Sequence, residues 1–333
     1  MPMTGEQANP ETEMLDTIAI PARGTKQRGR LRFSHPMLAE WTWPVTVVAG
    51  AGEGPQVALI SGVHPTEYPA IEANIRLMRA LDPAQVRGTI VSLPLIDVPA
   101  FLTRCPFVCP IDNKNPNRFF PGDPNGTFTE VMDDAIFRAV LQPSDALIDL
   151  HGGDMVEALV PFVVYSVSGN AELDAASHAM ARAMGLPYLV QNRPTPGGLG
   201  GMTIHAAATA GIPAIIPEAG SCGLLTEPET QMLVDGVENV LRHLGVLEGP
   251  VKEMPAPIEV AEFTWLFAPT EGLWYPSATV GDAVHKDQAV GLITNIFGDD
   301  LAEVTAPHDG DVLFVTTSPA MREGGVLLAV GGH

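Results

Sequence analysis

The chemistry this chain can do is concentrated at a few polar residues that follow apolar runs. His64-Pro-Thr-Glu67 comes directly after the run 56–61 (Gln-Val-Ala-Leu-Ile-Ser). A histidine and a carboxylate three residues apart at a turn can converge on one ion. Neutral imidazole and carboxylate suit Zn²⁺, with a third ligand and an open position for water. Taken alone, the same four residues are also an ordinary polar turn. His151 supplies context: it ends the run 145–150 and is followed by Gly152-Gly153. Asp149 shares a strand face with His151, because strand side chains alternate. It is therefore either a carboxylate that orients the imidazole or a structural aspartate. Glu218 ends a third run, 213–217. Beside an activated water it would act as general base, then as acid toward a departing amine; alone it is a carboxylate at a strand end. The segment 97–126 adds Asn117 and Arg118, a hydrogen-bonding amide beside a planar cationic fork suited to a substrate carboxylate. Arg104, upstream in the same segment, could polarise a carbonyl. Each arginine is otherwise a partner for a neighbouring Asp.

The elements that must hold these residues are legible as alternating strands and helices. Strands are expected at 17–20, 29–33, 43–49, 56–61, 88–94, 145–150, 162–167 and 213–217, with a turn at 50–55. Helices are expected over 67–81, 130–141, 171–184 (closed by Gly185), 203–210 with Thr203 as its cap, and 226–244. Such alternation implies an α/β sandwich. His64, His151 and Glu218 all fall at the carboxyl ends of apolar strands, where open α/β sheets place their sites. The irregular segment 97–126 is too long for a neutral connection and reads as functional. The chain divides into a flexible tail over 1–15, a catalytic domain over 16–247, a Pro-rich linker over 248–260 and an all-β module over 261–333. Strands of that module are expected at 278–280, 289–294, 311–316 and 326–330.

Composition narrows the partners. The 333 residues carry 18 Lys+Arg against 39 Asp+Glu, a net charge of −21, which repels nucleic acid and anionic membrane surfaces. A hydrophobic fraction of 46% excludes global disorder. No apolar run reaches the ~18 residues of a membrane span, and no secretory signal opens the chain, so a cytoplasmic protein is expected. Cys105, Cys109 and Cys222 read as free thiols rather than a disulfide framework. His178 and His243 read as helix-surface or packing residues. The run 197–201 lacks the Lys-Ser/Thr ending of a phosphate loop and reads as a substrate-side loop.

In that order, His-x-x-Glu, Asn-Arg-Phe-Phe-Pro-Gly, Asp-Leu-His and Glu-Ala-Gly resemble the succinylglutamate desuccinylase/aspartoacylase family, zinc amidohydrolases related to zinc carboxypeptidases. The resemblance covers roughly residues 45–333. It implies a zinc-carboxypeptidase-like mixed sheet flanked by helices, with one Zn²⁺ per chain held by His64, Glu67 and His151. It implies Glu218 as general acid/base, Asn117 and Arg118 as the carboxylate-binding pair, and Arg104 as the carbonyl-polarising group. Two departures matter. The family's His-Gly-Asp-Glu is His-Pro-Thr-Glu here. Aspartoacylases also carry an Arg shortly before the catalytic Glu, whereas no Lys or Arg lies between Arg193 and Glu218. A substrate with one carboxylate is therefore expected, rather than N-acetylaspartate or succinylglutamate.

The C-terminal stretch resembles lipoyl/biotinyl-type β-sandwiches. A carrier needs a Lys at its hairpin tip, and 296–304 contains none, so a non-carrier module that caps the site or mediates assembly is expected. Tyr275 is placed where it could reach a substrate. The expected activity is zinc-dependent deacylation of a small N-acyl amino acid or related amide. A metallocarboxypeptidase and a non-catalytic binding protein are the alternatives. A homo-oligomer is compatible with the resemblance, although no interface is legible.

Overall fold

Why the apolar runs are continuous is visible at the centre of the sheet. In the computed structural model, which describes residues 11–193 and 201–333, Val57 and Leu59 enter the core on one face while Ala58 and Ile60 enter the core on the other. All four are fully buried, as a strand covered on both faces requires. The large sheet begins with β1 (Thr12–Leu15), β2 (Thr25–Arg32), β3 (Trp43–Ala49), β4 (Gly52–Ser61), β5 (Arg87–Leu93) and β6 (Ala146–Leu150). After a short strand outside it, β7 (Glu157–Leu159), it continues with β8 (Phe162–Ser166), β9 (Tyr188–Asn192), β10 (Ala214–Glu218) and β11 (Ile258–Val260). Their order is β1-β2-β3-β5-β4-β6-β10-β8-β9-β11. The four central strands, β5, β4, β6 and β10, run parallel, so their carboxyl ends meet along one edge. Antiparallel pairs β2–β3, β3–β5 and β10–β8 make the sheet mixed.

Helices α1 (Tyr68–Ala80), α4 (Ala171–Met184) and α6 (Glu227–His243) share one core face, burying Leu77, Met180 and Val237. Between α1 and α4 in the chain come α2 (Val98–Thr103) and α3 (Phe128–Ile136); α5 (Thr203–Thr209) follows α4. Met132 of α3 and Ile204 of α5 pack on the opposite face. Local signals set the ends: Asn170 Oδ1 accepts from the backbone of Glu172 and Leu173, and Gly185 closes α4 in the left-handed conformation. The expected cap of the 203–210 helix shifts by one, Met202 taking the N-cap position and Thr203 the first turn.

Four expectations are corrected. Thr12–Leu15 is not tail but a strand paired in parallel with β2, and the expected strand at 17–20 does not form. Ile258–Val260 is not linker: it pairs with β9 as the last strand of the large sheet. In both cases a short segment covers an otherwise open sheet edge. Residues 278–280 turn instead of forming a strand.

The C-terminal module contains β12 (Glu262–Phe267), β13 (Gly272–Pro276), β14 (Ala283–Val284), β15 (Ala289–Thr294), β16 (Asp300–Thr305), β17 (Gly310–Thr316), β18 (Ala320–Met321) and β19 (Val326–Gly332). Two sheets, β12-β19-β17-β14 and β16-β15-β13-β18, enclose Trp274, Ile293 and Leu328. The first sheet takes its outer partner from the other domain: β7 pairs antiparallel with β17, Leu159 opposite Phe314 and Glu157 opposite Thr316. Phe314 and Leu313 thereby join the core of the large domain.

Candidate active site

After β4 the chain turns at Gly62, in the left-handed region at φ +66°, and reaches His64. Glu67 is the N-cap residue of α1, yet its carboxylate makes no cap hydrogen bond. It turns instead to two imidazoles. His64 Nδ1 lies 2.9 Å from Glu67 Oε1, and His151 Nδ1 lies 3.0 Å from Glu67 Oε2. The Gly152 N–H donates to the same Oε2 at 3.0 Å. A Cβ on Gly152 would sit 2.4 Å from the Ala219 carbonyl, so glycine lets the two strand ends close up here.

The outer nitrogens are held as well. His64 Nε2 meets Asn115 Oδ1 at 3.0 Å and His151 Nε2 meets Asp149 Oδ2 at 3.2 Å. Asn115 Oδ1 also accepts from the Asn117 backbone, which fixes its amide. Thr203 Oγ1 donates to Asp149 Oδ2 at 2.6 Å. Since both outer partners are acceptors, each Nε2 carries the proton. Both Nδ1 lone pairs then face the Glu67 carboxylate. Such a centre is satisfied by a cation among the three groups, or by protonating both rings. Two imidazole nitrogens and a carboxylate, buried and within 4.8 Å of one another, are a donor set that fits zinc. Burial opposes the charge on Glu67, but His151 and His64 outweigh it and hold its carboxyl at about 2. Burial likewise opposes charge on His151, and Asp149 and Glu67 carry it well above the usual imidazole range.

Glu218, the last residue of β10, lies beside His151: the His151 N–H donates to the Pro217 carbonyl and the Ala219 N–H to that of His151. Burial pushes the Glu218 carboxyl well above the ordinary range. His151 opposes this, and Glu67, Glu157 and Asp149 add to it. One cavity of about 150 Å³ contains the edges of His64, Glu67, His151 and Glu218 together with Asn117 and Arg118. Asn117 is buried, and its Oδ1 accepts from the Thr203 backbone at 3.0 Å. Arg118 Nη1 donates to the Asn117 carbonyl at 2.6 Å, and among the described residues no carboxylate pairs with its guanidinium within 4.0 Å.

Arg104 is placed differently. It closes α2 in the left-handed conformation, φ 54°, with its side chain exposed, and it does not line the cavity. Tyr275 is half exposed on β13 and also stands off the cavity lining. Cys105, Cys109 and Cys222 are free thiols. The expected substrate-side loop at 197–201 lies outside the described residues except for Gly201. A Cβ on Gly201 would sit 2.0 Å from the Arg118 carbonyl oxygen, so glycine at 201 is what lets this chain lie on the Arg118 backbone.

Sequence reasoning missed three contributors. Asn115 lay in the irregular segment 97–126 but drew no role. Glu157 lines the cavity, where burial and then the Glu67 charge push its carboxyl well above the ordinary range. Phe263, Trp265 and Phe314 of the C-terminal module close the cavity's apolar side. Nothing local in the sequence marks these four, because the β7–β17 pairing and the module's docking bring them in.

The fold has close counterparts. The model of the "Succinylglutamate desuccinylase/Aspartoacylase catalytic domain" matches residues 53–244, more than half the chain. An N-alpha-acetyl-L-2,4-diaminobutyric acid deacetylase from Halomonas elongata is 30% identical over 302 residues, covering 86% of this chain and 84% of that protein. The product-bound structure of the ectoine utilization protein EutE (DoeB) from Ruegeria pomeroyi superposes with a TM-score of 0.83 at 26% identity, covering 95% of this chain and 98% of that one. A succinylglutamate desuccinylase/aspartoacylase from Rhodobacter sphaeroides gives 0.81 at 28% identity, over 94% and 96% of the two chains. The match spans the strand ends that carry His64, His151 and Glu218, and on it this chain belongs to the succinylglutamate desuccinylase/aspartoacylase family.

Proposed function

We propose that the protein is a zinc-dependent deacylase that hydrolyses the amide bond of a small N-acyl amino acid bearing one carboxylate. The observation that carries this reading is the convergence of His64, Glu67 and His151 beside Glu218, in a cavity whose lining cation is Arg118. Amide deacylation is also the activity named for the Halomonas elongata relative. In this proposal His64 Nδ1, Glu67 and His151 Nδ1 hold one zinc per chain, with Asn115 and Asp149 orienting the rings. Zinc, when bound, supplies a Lewis acid that polarises the acyl carbonyl and acidifies water. Glu218 takes a proton from the water that attacks the acyl carbon, then delivers it to the amine nitrogen as the C–N bond breaks. Burial raises its proton affinity, which suits a group that first takes and then returns a proton. Arg118 and the amide NH₂ of Asn117 hold the substrate carboxylate. Arg104 enters on the family resemblance alone, as the group that polarises the acyl carbonyl. A lipoyl-like type for the C-terminal module and a cytoplasmic location belong to the same proposal. Among the described residues no helix is long and apolar enough to cross a membrane.

The test is a zinc-loaded protein assayed on N-acetyl amino acids, including N-acetyl-2,4-diaminobutyrate and N-acetylaspartate, and on short peptides, read by released amine. Faster turnover of monocarboxylates than of N-acetylaspartate or peptides is expected. Faster peptide turnover would make it a carboxypeptidase. No turnover together with less than ~0.5 zinc per chain after titration would make it a binding protein.

A further inference from the structure

The cavity extends beyond the groups that would do the chemistry. The sheet order β4-β6-β10-β8-β9 carries it sideways from the strand ends of His64, His151 and Glu218. β8 begins where β10 ends, with Phe162 opposite Glu218. β8 and β9 then run in parallel, Val164 beside Val190 and Ser166 beside Asn192. Residues two apart on a strand share a face, and Phe162, Val164, Val190 and Asn192 all line the cavity. Met202, Trp265 and Phe314 complete this wing. The charged and titratable lining residues, His64, Glu67, Arg118, His151, Glu157 and Glu218, come from other segments. Glu157 stands with that group: its charged neighbours are Glu67, Asp154, His151 and Arg118. Residues 194–200, outside the described set, contain no titratable side chain.

One polar side chain stands in the wing. Asn192 Oδ1 meets His205 Nε2 at 3.0 Å. Asn192 Nδ2 lies 3.7 Å from Met202 Sδ, and a thioether is a weak acceptor. The carboxamide oxygen is therefore spent on the imidazole, while among the described residues no oxygen or nitrogen accepts from the NH₂. A fixed donor in apolar, charge-free surroundings is matched by an acceptor that itself carries no charge. The wing also adjoins the groups proposed to hold the substrate carboxylate. On either side of Met202, a Cβ on Gly201 would meet the Arg118 carbonyl and the Thr203 N–H donates to Asn117 Oδ1. His64 has Phe107 beside it instead, ring centroids 6.3 Å apart. A substrate with its carboxylate on Arg118 thus directs its side chain into the wing and its acyl group toward His64 and Phe107.

We propose that the wing under β8 and β9 is the side-chain subsite, and that Asn192 makes it selective for an uncharged side chain bearing a hydrogen-bond acceptor. This rests on the deacylase reading. The stem of the side chain lies over Val164 and Val190, and its carbonyl oxygen accepts from the Asn192 NH₂. His205 is a positioning residue that keeps the carboxamide turned that way.

The experiment compares kcat/KM of the zinc-loaded protein for three compounds. N-acetyl-5-oxonorleucine ends in a methyl ketone, N-acetylhomoleucine has a methyl group in place of the ketone oxygen, and N-acetyl-2,4-diaminobutyrate is cationic. The wild type is expected to favour the ketone over its apolar counterpart about tenfold, and over the cationic compound as well. Asn192→Leu should bring the ketone-to-apolar ratio to about one, mostly through KM for the ketone. Asn192→Asp keeps the size and shape of the side chain but replaces the donor with an acceptor, and should bring the ratio to about one or below. A wild-type ratio of about one would overturn the subsite, as would an unchanged ratio in either folded variant. Faster turnover of the cationic compound than of the ketone would overturn the uncharged class. If none of the three is hydrolysed, the deacylase reading fails; if all are hydrolysed without preference, only the subsite does.

Discussion

Glu67 and Asp97 occupy the same station on neighbouring strands. Each follows a central parallel strand and serves as N-cap of the next helix, in Glu67-Tyr-Pro-Ala and Asp97-Val-Pro-Ala. Their backbones nearly coincide, φ −86°, ψ 67° for Glu67 and φ −86°, ψ 78° for Asp97, and both are buried. Yet the shorter Asp97 bends back and accepts from the Ala100 N–H of its own helix at 3.0 Å. Glu67, one methylene longer, leaves its helix and bridges two imidazoles. The electrostatic outcome is opposite. Burial, only partly offset by the Ala100 N–H, lifts Asp97 to about 6, whereas Glu67 is held at about 2. Burial alone does not decide a carboxyl's charge; the groups its side chain can reach do.

Shortening Glu67 to Asp therefore attacks the comparison directly. Glu67→Asp is expected to lose bound zinc and all measurable turnover, read by metal analysis and released amine; a variant that kept both would show that the extra methylene is irrelevant. Glu218→Gln should retain zinc while kcat falls about 10²–10⁴-fold, the range of general acid–base catalysis. Near-full activity would remove Glu218 from its role. Arg118→Ala should lower kcat/KM about 10–100-fold, mostly through KM, as the loss of a charge-assisted hydrogen bond implies. Equal losses on a substrate whose carboxylate is amidated would point away from carboxylate binding.

The gentlest change is at the other member of the pair. Asp97 binds its proton more tightly folded than unfolded, so the folded state holds more protons between the two pKa values. Stability then falls as pH rises from 3.8 to about 6, by about 3 kcal/mol at ~1.4 kcal/mol per unit. Asp97→Asn keeps a cap acceptor and should flatten that window in urea unfolding at pH 4, 5 and 7. An unchanged pH slope would mean that Asp97 is ionised throughout.

Legibility in the sequence followed how local each cause was. Helix α4 was readable to both ends because Asn170 and Gly185 are local start and stop signals. The two imidazoles and Glu218 were readable because they follow apolar strands, and Glu67 because it stands three residues after His64. Helix α2 was not: six residues with Pro99 in the first turn leave no periodicity to find. The start of β4 at Gly52 was hidden because that end pairs with Arg87 across a register shift. Glu157 and the aromatic wall depend on residues more than 150 positions apart meeting through β7 and β17.

That β7–β17 pairing sets an order of assembly. During synthesis the groups proposed for metal binding and proton transfer have all emerged once residue 218 is made. The wall that closes the cavity waits for Phe314, well after residue 218, and until then β7 is an unpaired strand edge. A nascent or truncated chain would thus possess its reactive groups without an enclosure to select what reaches them. Enclosure follows reactivity in the making of this polypeptide.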